Sequence, residues 1–248
     1  MYRLGIDAGS TSVAVALVDE NNRVVGKGYR LHHGDMQSAL NGLLEDTLRV
    51  ADGAALCRAA VCGVNRDSIK DRLTCKAGLY VNEITALIAG GRFVSPDAHS
   101  VMEIGGQSSK YVTGLRDGNV RFAVNDTCSA GTGSFFEAQA GRLNIALEAF
   151  STIAEKAETI PRIAGRCSVF AKTDIIHLQQ EGEKIENILL GLCYAMVRNY
   201  KAAVAGKLPQ KPPVLFAGGT VYNRGMIRAI RDVFDLGTDD LIISEYAP

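Results

Sequence analysis

The chain opens on a strand pattern over residues 1–7, and a second apolar run follows at 13–18. Between them lies the polar, glycine-containing stretch Gly9-Ser10-Thr11-Ser12. The second run closes at Asn21-Asn22 and is followed by Val24-Val25. Short apolar runs separated by such turn residues predict β-hairpins. From 36 to 50 the period changes, because Leu40, Leu43, Leu44 and Leu48 recur at helical spacing. Residues 59–64 predict a short buried strand ending at Gly63, and 82–89 a helix that stops at Gly90-Gly91. A strand over 120–124 leads into a Gly/Ser-rich stretch at 129–134. Helices are expected at 135–143, 146–156, 174–181, 183–205 and 226–233. Residues 207–213, with three prolines, predict a loop. Residues 214–217 predict a buried strand, and Gly218-Gly219 a tight turn. The alternation of strand and helix predicts an α/β fold.

One pattern occurs twice. At a constant offset of 96 residues Asp7 meets Glu103, Gly9 meets Gly105, Ser12 meets Ser108 and Asn22 meets Gly118. Each copy is a strand, a Gly-rich polar turn, a second strand and a two-residue hairpin turn, Asn21-Asn22 in one and Asp117-Gly118 in the other. Two copies predict two related subdomains, residues 1–98 and 99–248.

Composition narrows the function classes. Of 248 residues, 47% are hydrophobic and 22% charged, enough to build a core, so the chain is not a disordered one. Lys+Arg and Asp+Glu both number 27, which argues against a general nucleic-acid binder. No apolar run approaches the roughly 20 residues that span a bilayer, and the first residues lack a signal core, so a cytoplasmic location and no membrane partner are expected. Six cysteines occur without any CxxC pair, which leaves neither a zinc knuckle nor a thioredoxin motif.

In the first copy, Asp7-Ala8-Gly9-Ser10-Thr11-Ser12 presents amide N–H groups and hydroxyls at a strand end. Gly9, with no Cβ, lets phosphate oxygens approach the backbone. Asp7 can hold hydrated Mg²⁺ beside them. The same residues also make an ordinary polar turn. The second copy, Glu103-Ile104-Gly105-Gly106-Gln107-Ser108, offers another phosphate-holding turn, and two turns facing across a cleft can clamp a triphosphate. A third glycine element, Phe216-Ala217-Gly218-Gly219-Thr220, would let a base or ribose lie on bare backbone, with Asn223 able to reach the ribose or to cap the next helix. No GxxxxGKS/T motif occurs, so a P-loop is excluded.

The ordered trio DAGST, EIGGQSS and FAGGTVYN resembles the phosphate-1, phosphate-2 and adenosine motifs of the superfamily that contains the acetate and sugar kinases, actin and the heat-shock chaperone ATPases. Its fold is ribonuclease H-like, or actin-like, with a nucleotide cleft between two related subdomains. Two further segments, NDTCSAGTGSF around Cys128 and GRCSVFAKTD around Cys167, resemble the cluster-binding segments of the ATPase activators of 2-hydroxyacyl-CoA dehydratases, a family that includes ATPase subunits related to benzoyl-CoA reductase. The resemblance implies an ATP-hydrolysing, one-electron donor of anaerobic metabolism. It implies a homodimer sharing one 4Fe-4S cluster through Cys128 and Cys167 of each chain. It also implies an iron–sulfur dehydratase or acyl-CoA reductase component as partner, and ferredoxin or flavodoxin as donor.

The cysteines fit that reading on chemical grounds. Both precede expected helices, whose N–H groups stabilise a thiolate or an anionic cluster. Two cysteines cannot complete four-thiolate ligation, and a two-fold axis would supply the other pair. The alternative is that both are small buried apolar residues, the role expected for Cys57, Cys62, Cys75 and Cys193.

The resembling pattern is DIGGQDSK, whereas here Glu103 and Ser108 replace the two aspartates, which bears on Mg²⁺ and hydrolysis. The chain stops at residues 243–248, where members of the family continue into a closing helix, which predicts a shortened chain or one domain of a longer one. Asp7, Glu103 and Gln107 are the candidate catalytic residues. Gly9, Ser10, Thr11, Ser12, Gly105, Gly106, Ser108, Gly218, Gly219 and Asn223 are the candidates for ATP or ADP. Two other functions fit less of the pattern: a small-molecule kinase of the same superfamily, for example for an amino sugar, and a regulatory ATP-dependent module.

Overall fold

The computed structural model describes residues 1–51, 56–69, 78–125, 128–164 and 168–247. The chain divides into two compact units, Met1–Ala89 and Gly90–Pro248.

The first unit is a five-stranded sheet of order β3-β2-β1-β4-β5 with one long helix. Strands β1 (Tyr2–Ala8), β2 (Ser12–Val18) and β3 (Val24–Leu31) form an antiparallel meander, and β4 (Leu56–Cys62) and β5 (Gly78–Tyr80) add parallel to β1. Helix α1 (Met36–Leu48) starts at Asp35, whose carboxylate accepts from the Ser38 N–H. Its Leu40 and Leu43 pack against Leu4, Ile6, Val13, Val15 and Leu17 of the sheet. Burial of each such side chain contributes about 1.5–3 kcal/mol.

The second unit repeats the design. Its sheet order is β10-β9-β6-β7-β8, formed by β6 (Ser100–Ile104), β7 (Ser109–Thr113), β8 (Arg121–Asn125), β9 (Val214–Ala217) and β10 (Leu241–Ile243). Strands β6, β7 and β8 are the antiparallel meander, and β9 and β10 are the parallel additions. The duplication therefore covers the whole sheet, beyond the hairpin visible in the sequence. Helices α3 (Gly133–Arg142), α4 (Leu147–Ala154), α5 (Ser168–Gln180), α6 (Ile185–Ala203) and α7 (Arg224–Phe234) complete the unit. Helix α6 is buried along most of its length, which matches its near-continuous apolar run.

Three expectations change. Helix α2 (Glu83–Val94) does not stop at Gly90-Gly91 but runs through it. Gly91 is buried, and a Cβ there would lie 2.7 Å from a Val101 methyl, so this glycine permits close packing instead of ending the helix. The turn after β2 is longer than two residues: the Asp19 N–H donates to the Arg23 carbonyl, and the Asp19 carboxylate accepts from Asn21 and Arg23. The link from β7 to β8 spans residues 114–120, although Asn22 and Gly118 both take positive φ, as their alignment suggests. Among the described residues no helix is long and apolar enough to cross a membrane.

Candidate nucleotide and cysteine sites

The phosphate-1 candidate is the link between β1 and β2. The Gly9 N–H donates to the Ser12 carbonyl at 3.0 Å, and a Cβ on Gly9 would lie 2.9 Å from that oxygen. Asp7 stands exposed near the end of β1, in register with Cys62 of β4 and with Ala14 of β2. The Ser10 and Thr11 hydroxyls lie 3.4 Å apart. Behind the turn, Gly63 takes φ +95°, and a Cβ there would meet the Ala8 carbonyl at 2.3 Å and Asp7 Oδ1 at 2.6 Å. Asn65 closes the arrangement, its N–H donating to the Ala8 carbonyl at 2.9 Å and its Nδ2 to the Gly9 carbonyl at 2.8 Å.

The phosphate-2 candidate has the same skeleton. The Gly105 N–H donates to the Ser108 carbonyl, again at 3.0 Å. A Cβ on Gly105 would lie 2.6 Å from Glu103 Oε1, so the carboxylate lies along the turn. Lys110, opposite Glu103 on β7, places Nζ 2.8 Å from Glu103 Oε2 and 2.9 Å from Ser108 Oγ. The side chains of this pair are only 9% and 15% exposed for Lys110 and Glu103. Glu103 is thus neutralised in place, and Ser108 is held as a hydroxyl where the resembling pattern has an acid. Gly106 is partly buried and Gln107 exposed. Burial and the nearby Glu103 carboxylate push the Tyr200 phenol well above its usual range, and its O–H donates to the Lys110 carbonyl at 2.8 Å.

The third glycine element follows β9. Gly218 takes φ +92° and ψ 163°, a region only glycine adopts freely, and a Cβ would lie 2.5 Å from the Ile104 carbonyl. Gly219 begins a short 3₁₀ turn, and Thr220 Oγ1 donates to the Ile104 carbonyl at 3.0 Å. Gly63 with Ala8 and Gly218 with Ile104 are the same contact in the two copies, because Ile104 stands 96 residues after Ala8. The side chain of Asn223 caps α7, accepting from the Met226 N–H at 3.3 Å.

Cys128 is exposed and precedes a 3₁₀ turn at Ser129–Gly131, with α3 following. Asn125 holds its backbone from both sides, since the Cys128 N–H donates to Oδ1 at 3.1 Å and Nδ2 donates to the Cys128 carbonyl at 2.8 Å. The start of α3 is bonded to the phosphate-2 turn, with Gly133 N–H on the Gly105 carbonyl and Ser134 N–H on the Gly106 carbonyl, each at 2.7 Å. Cys75 and Cys167 lie outside the described residues, and of Cys57 only the backbone in β4 is described. Cys62 is partly exposed. Cys193 is buried, as expected, and burial drives its thiol far up from its ordinary range. Among the described residues no three His, Cys, Asp or Glu side chains come together as a metal group.

Asn65 is the contributor that sequence reading misses, whereas Lys110, Asn125 and Gly133 stand inside the quoted motifs and gain their roles only through the contacts of the fold. The DIGGQDSK pattern marks position 110 although its copy in the first unit is Ala14, but nothing in one sequence marks a contact such as Asn65 to Gly9.

The comparisons with known proteins agree with one another. The activator of lactoyl-CoA dehydratase from Anaerotignum propionicum is 30% identical over 247 residues, covering 98% of this chain and 91% of that protein. The crystal structure of the Acidaminococcus fermentans (R)-2-hydroxyglutaryl-CoA dehydratase component A superposes with a TM-score of 0.89 at 24% identity, covering 100% of this chain and 93% of the other. The activator of the 2-hydroxyisocaproyl-CoA dehydratase from Clostridium difficile, solved with bound ADPNP, gives 0.87 at 22%, covering 100% and 90%. Both structures share the two-sheet, actin-like ATPase fold described above. The sequence model of the BadF/BadG/BcrA/BcrD ATPase family matches residues 4–248, and the chain belongs to that family.

Proposed function

We propose that this ATPase is an activator: it hydrolyses ATP and donates single electrons to an iron–sulfur dehydratase or acyl-CoA reductase component, acting as a homodimer that shares one 4Fe-4S cluster. Ferredoxin or flavodoxin would supply the electrons. The observation that carries the reading is the pair of backbone hydrogen bonds from Gly133 and Ser134 to Gly105 and Gly106. Through them a displacement of the phosphate-2 turn reaches the segment that holds Cys128 without crossing any flexible side chain.

The residues present fit the groups this function needs. Gly9 and Gly105 leave cradles that a Cβ would fill, one against the Ser12 carbonyl and one against Glu103. Such bare backbone suits phosphate oxygens. Asp7, exposed near the end of β1, would hold Mg²⁺ through its hydration shell. Gln107, exposed, would orient the water that attacks the γ-phosphate, and Glu103, fixed by Lys110, would order that water's neighbours. Ser10, Thr11, Ser12 and Ser108 would add hydroxyl donors, and Gly218, Gly219 and Asn223 would border the nucleoside. Attack of water on the γ-phosphorus forms a P–O bond and breaks the bond to the β-phosphate oxygen, giving ADP and phosphate.

An exposed Cys128, with its backbone pinned by Asn125, suits a thiolate ligand shared with another chain, and Cys167 would be its companion. When bound, a 4Fe-4S cluster supplies one-electron redox chemistry. The chain's own part is to hold the thiolate in place and to tie that segment to the phosphate turn.

Iron and acid-labile sulfide, assayed on anaerobically purified protein together with its mass in solution, test the reading. About four of each per dimer are expected, lost in Cys128→Ser and Cys167→Ser. Colourless, iron-free protein after anaerobic reconstitution would remove the electron-transfer function and leave an ATPase.

A further inference from the structure

We propose that Asn65 is a positioning residue that sets the geometry of the phosphate-1 turn from behind, so that nucleotide affinity depends on a side chain that itself need not touch the nucleotide. The inference rests on the ATPase reading of that turn.

Asn65 stands at the N-cap of a 3₁₀ turn, Arg66–Ser68, the place where an asparagine side chain ordinarily accepts from its own turn's N–H groups. Here it makes no such bond. Its Nδ2 instead crosses to the Gly9 carbonyl, 56 positions earlier, at 2.8 Å, while its N–H takes the Ala8 carbonyl at 2.9 Å. Two consecutive carbonyls of the turn are therefore fixed by one residue. Gly63, at φ +95°, brings the Asn65 loop close enough to do this, since any Cβ there would strike Ala8 and Asp7.

The consequence follows from peptide geometry. The peptide that carries the Gly9 carbonyl also carries the Ser10 N–H, and in a planar trans unit the two point in opposite directions. Holding the carbonyl thus aims the Ser10 N–H away from Asn65, as a fixed donor. A donor already oriented before the ligand arrives avoids the ordering cost of binding.

The second unit solves the same problem without a side-chain amide. There the Gly105 carbonyl is held by the Gly133 N–H and the Ile104 carbonyl by the Thr220 hydroxyl. Both turns have their carbonyls held by neighbouring segments, but only in the first can the hold on the Gly carbonyl be deleted by a side-chain substitution.

Calorimetric binding of ATP and of ADP, together with steady-state ATP hydrolysis, tests this on the full chain and on Asn65→Leu and Asn65→Ala. Leucine keeps the volume and removes the donor, and alanine removes both. Both variants are expected to bind ATP and ADP about tenfold more weakly, the worth of one well-made hydrogen bond. The KM for ATP should rise in step, with kcat within about twofold, and far-ultraviolet circular dichroism should stay unchanged at the assay temperature. A merely structural role would lower the unfolding midpoint and leave affinity and KM as in the parent. Parent-like affinity in both folded variants overturns the positioning role alone. A parent chain that binds neither nucleotide overturns the ATPase reading and this inference with it.

Discussion

The N–H of Gly133 lies 2.7 Å from the carbonyl oxygen of Gly105, joining the first turn of α3 to the phosphate-2 turn by a backbone bond. Ser134 repeats the contact to Gly106. Backbone-to-backbone bonds involve no rotamer, so they tie the two segments together directly. Glycine eases the approach, because a Cβ at 133 would lie 3.1 Å from the Gly105 carbonyl and 3.3 Å from Gly106 Cα, tight contacts that a small shift would relieve.

Gly133→Ala should therefore separate stability from nucleotide binding. Alanine favours a helix over glycine by up to about 1 kcal/mol, which offsets the crowding in the unfolding equilibrium. The phosphate-2 turn must still shift by a few tenths of an ångström. The expected outcome is a urea midpoint close to the parent's and an ATP KM raised about threefold, where RT ln 3 is about 0.6 kcal/mol. A raised KM that comes with a large loss of stability would contradict the assignment.

Gly218→Ala should be far more damaging. Its backbone occupies the region that glycine alone adopts without strain, and the new methyl would lie 2.5 Å from the Ile104 carbonyl, which belongs to the sheet and cannot yield. A loss of about 3 kcal/mol in urea unfolding is expected from strain of this kind. Gly63→Ala, the equivalent change in the first unit, should cost a similar amount.

Lys110→Met leaves the Glu103 carboxylate mostly buried beside Ser108 without its ammonium. Breaking such a pair from one side costs about 3 kcal/mol, and replacing both charges costs far less. The double variant Lys110→Met with Glu103→Gln should therefore recover most of the lost stability. A double-mutant cycle in urea checks this, and additive losses would mean that the pair does not couple.

Alkylation at pH 8 of cluster-free protein, mapped by peptide mass, should find Cys128 modified at least about tenfold faster than Cys193, because reactivity follows thiolate content and access. Cys128 is exposed, whereas Cys193 is fully buried and its thiol is held protonated by desolvation. The folded thiol titrates above the unfolded one. Its contribution to stability is thus present below the ordinary thiol value of 9.0 and is lost as pH rises past it. Cys193→Ala should flatten that part of the stability profile measured by urea unfolding between pH 8 and 10.

The fold was largely legible because the duplication repeats backbone requirements. Gly9 and Gly105 must both approach a serine carbonyl, and Asn22 and Gly118 must both take positive φ. Those demands leave the same residue types at the same spacing. Strands β4 and β9 were legible, but their equivalence was not, because Gly63 and Gly218 are not 96 residues apart, helices having been inserted between, and the short edge strands β5 and β10 escaped. Gly90-Gly91 misled because a glycine pair that ends a helix and one that lets a helix pack closely look alike in sequence. Helix α5 starts at Ser168, earlier than its apolar spacing suggests. The glycine and hydroxyl parts of the candidate site were legible as turn chemistry. Asn65 was not, because its contact exists only after folding, and Lys110, although it stands at the lysine of the DIGGQDSK pattern, gains its role only through its register with Glu103. The cysteine pair rested on resemblance, and Cys167 lies outside the described residues.

The links from β1 to β2 and from β6 to β7 leave no slack in length. In the first, Val13, Val15 and Leu17 point into the core and alternate with the half-exposed positions of β2. Adding or removing a single residue between Ala8 and Ser12 would turn that set outward and put its neighbours inside. In the second, β7 is buried on both faces, so a shift would bury Lys110 without Glu103 opposite it. Insertions and deletions should accordingly be lethal at these two turns and tolerated at residues 116–119, which are exposed in the link between β7 and β8.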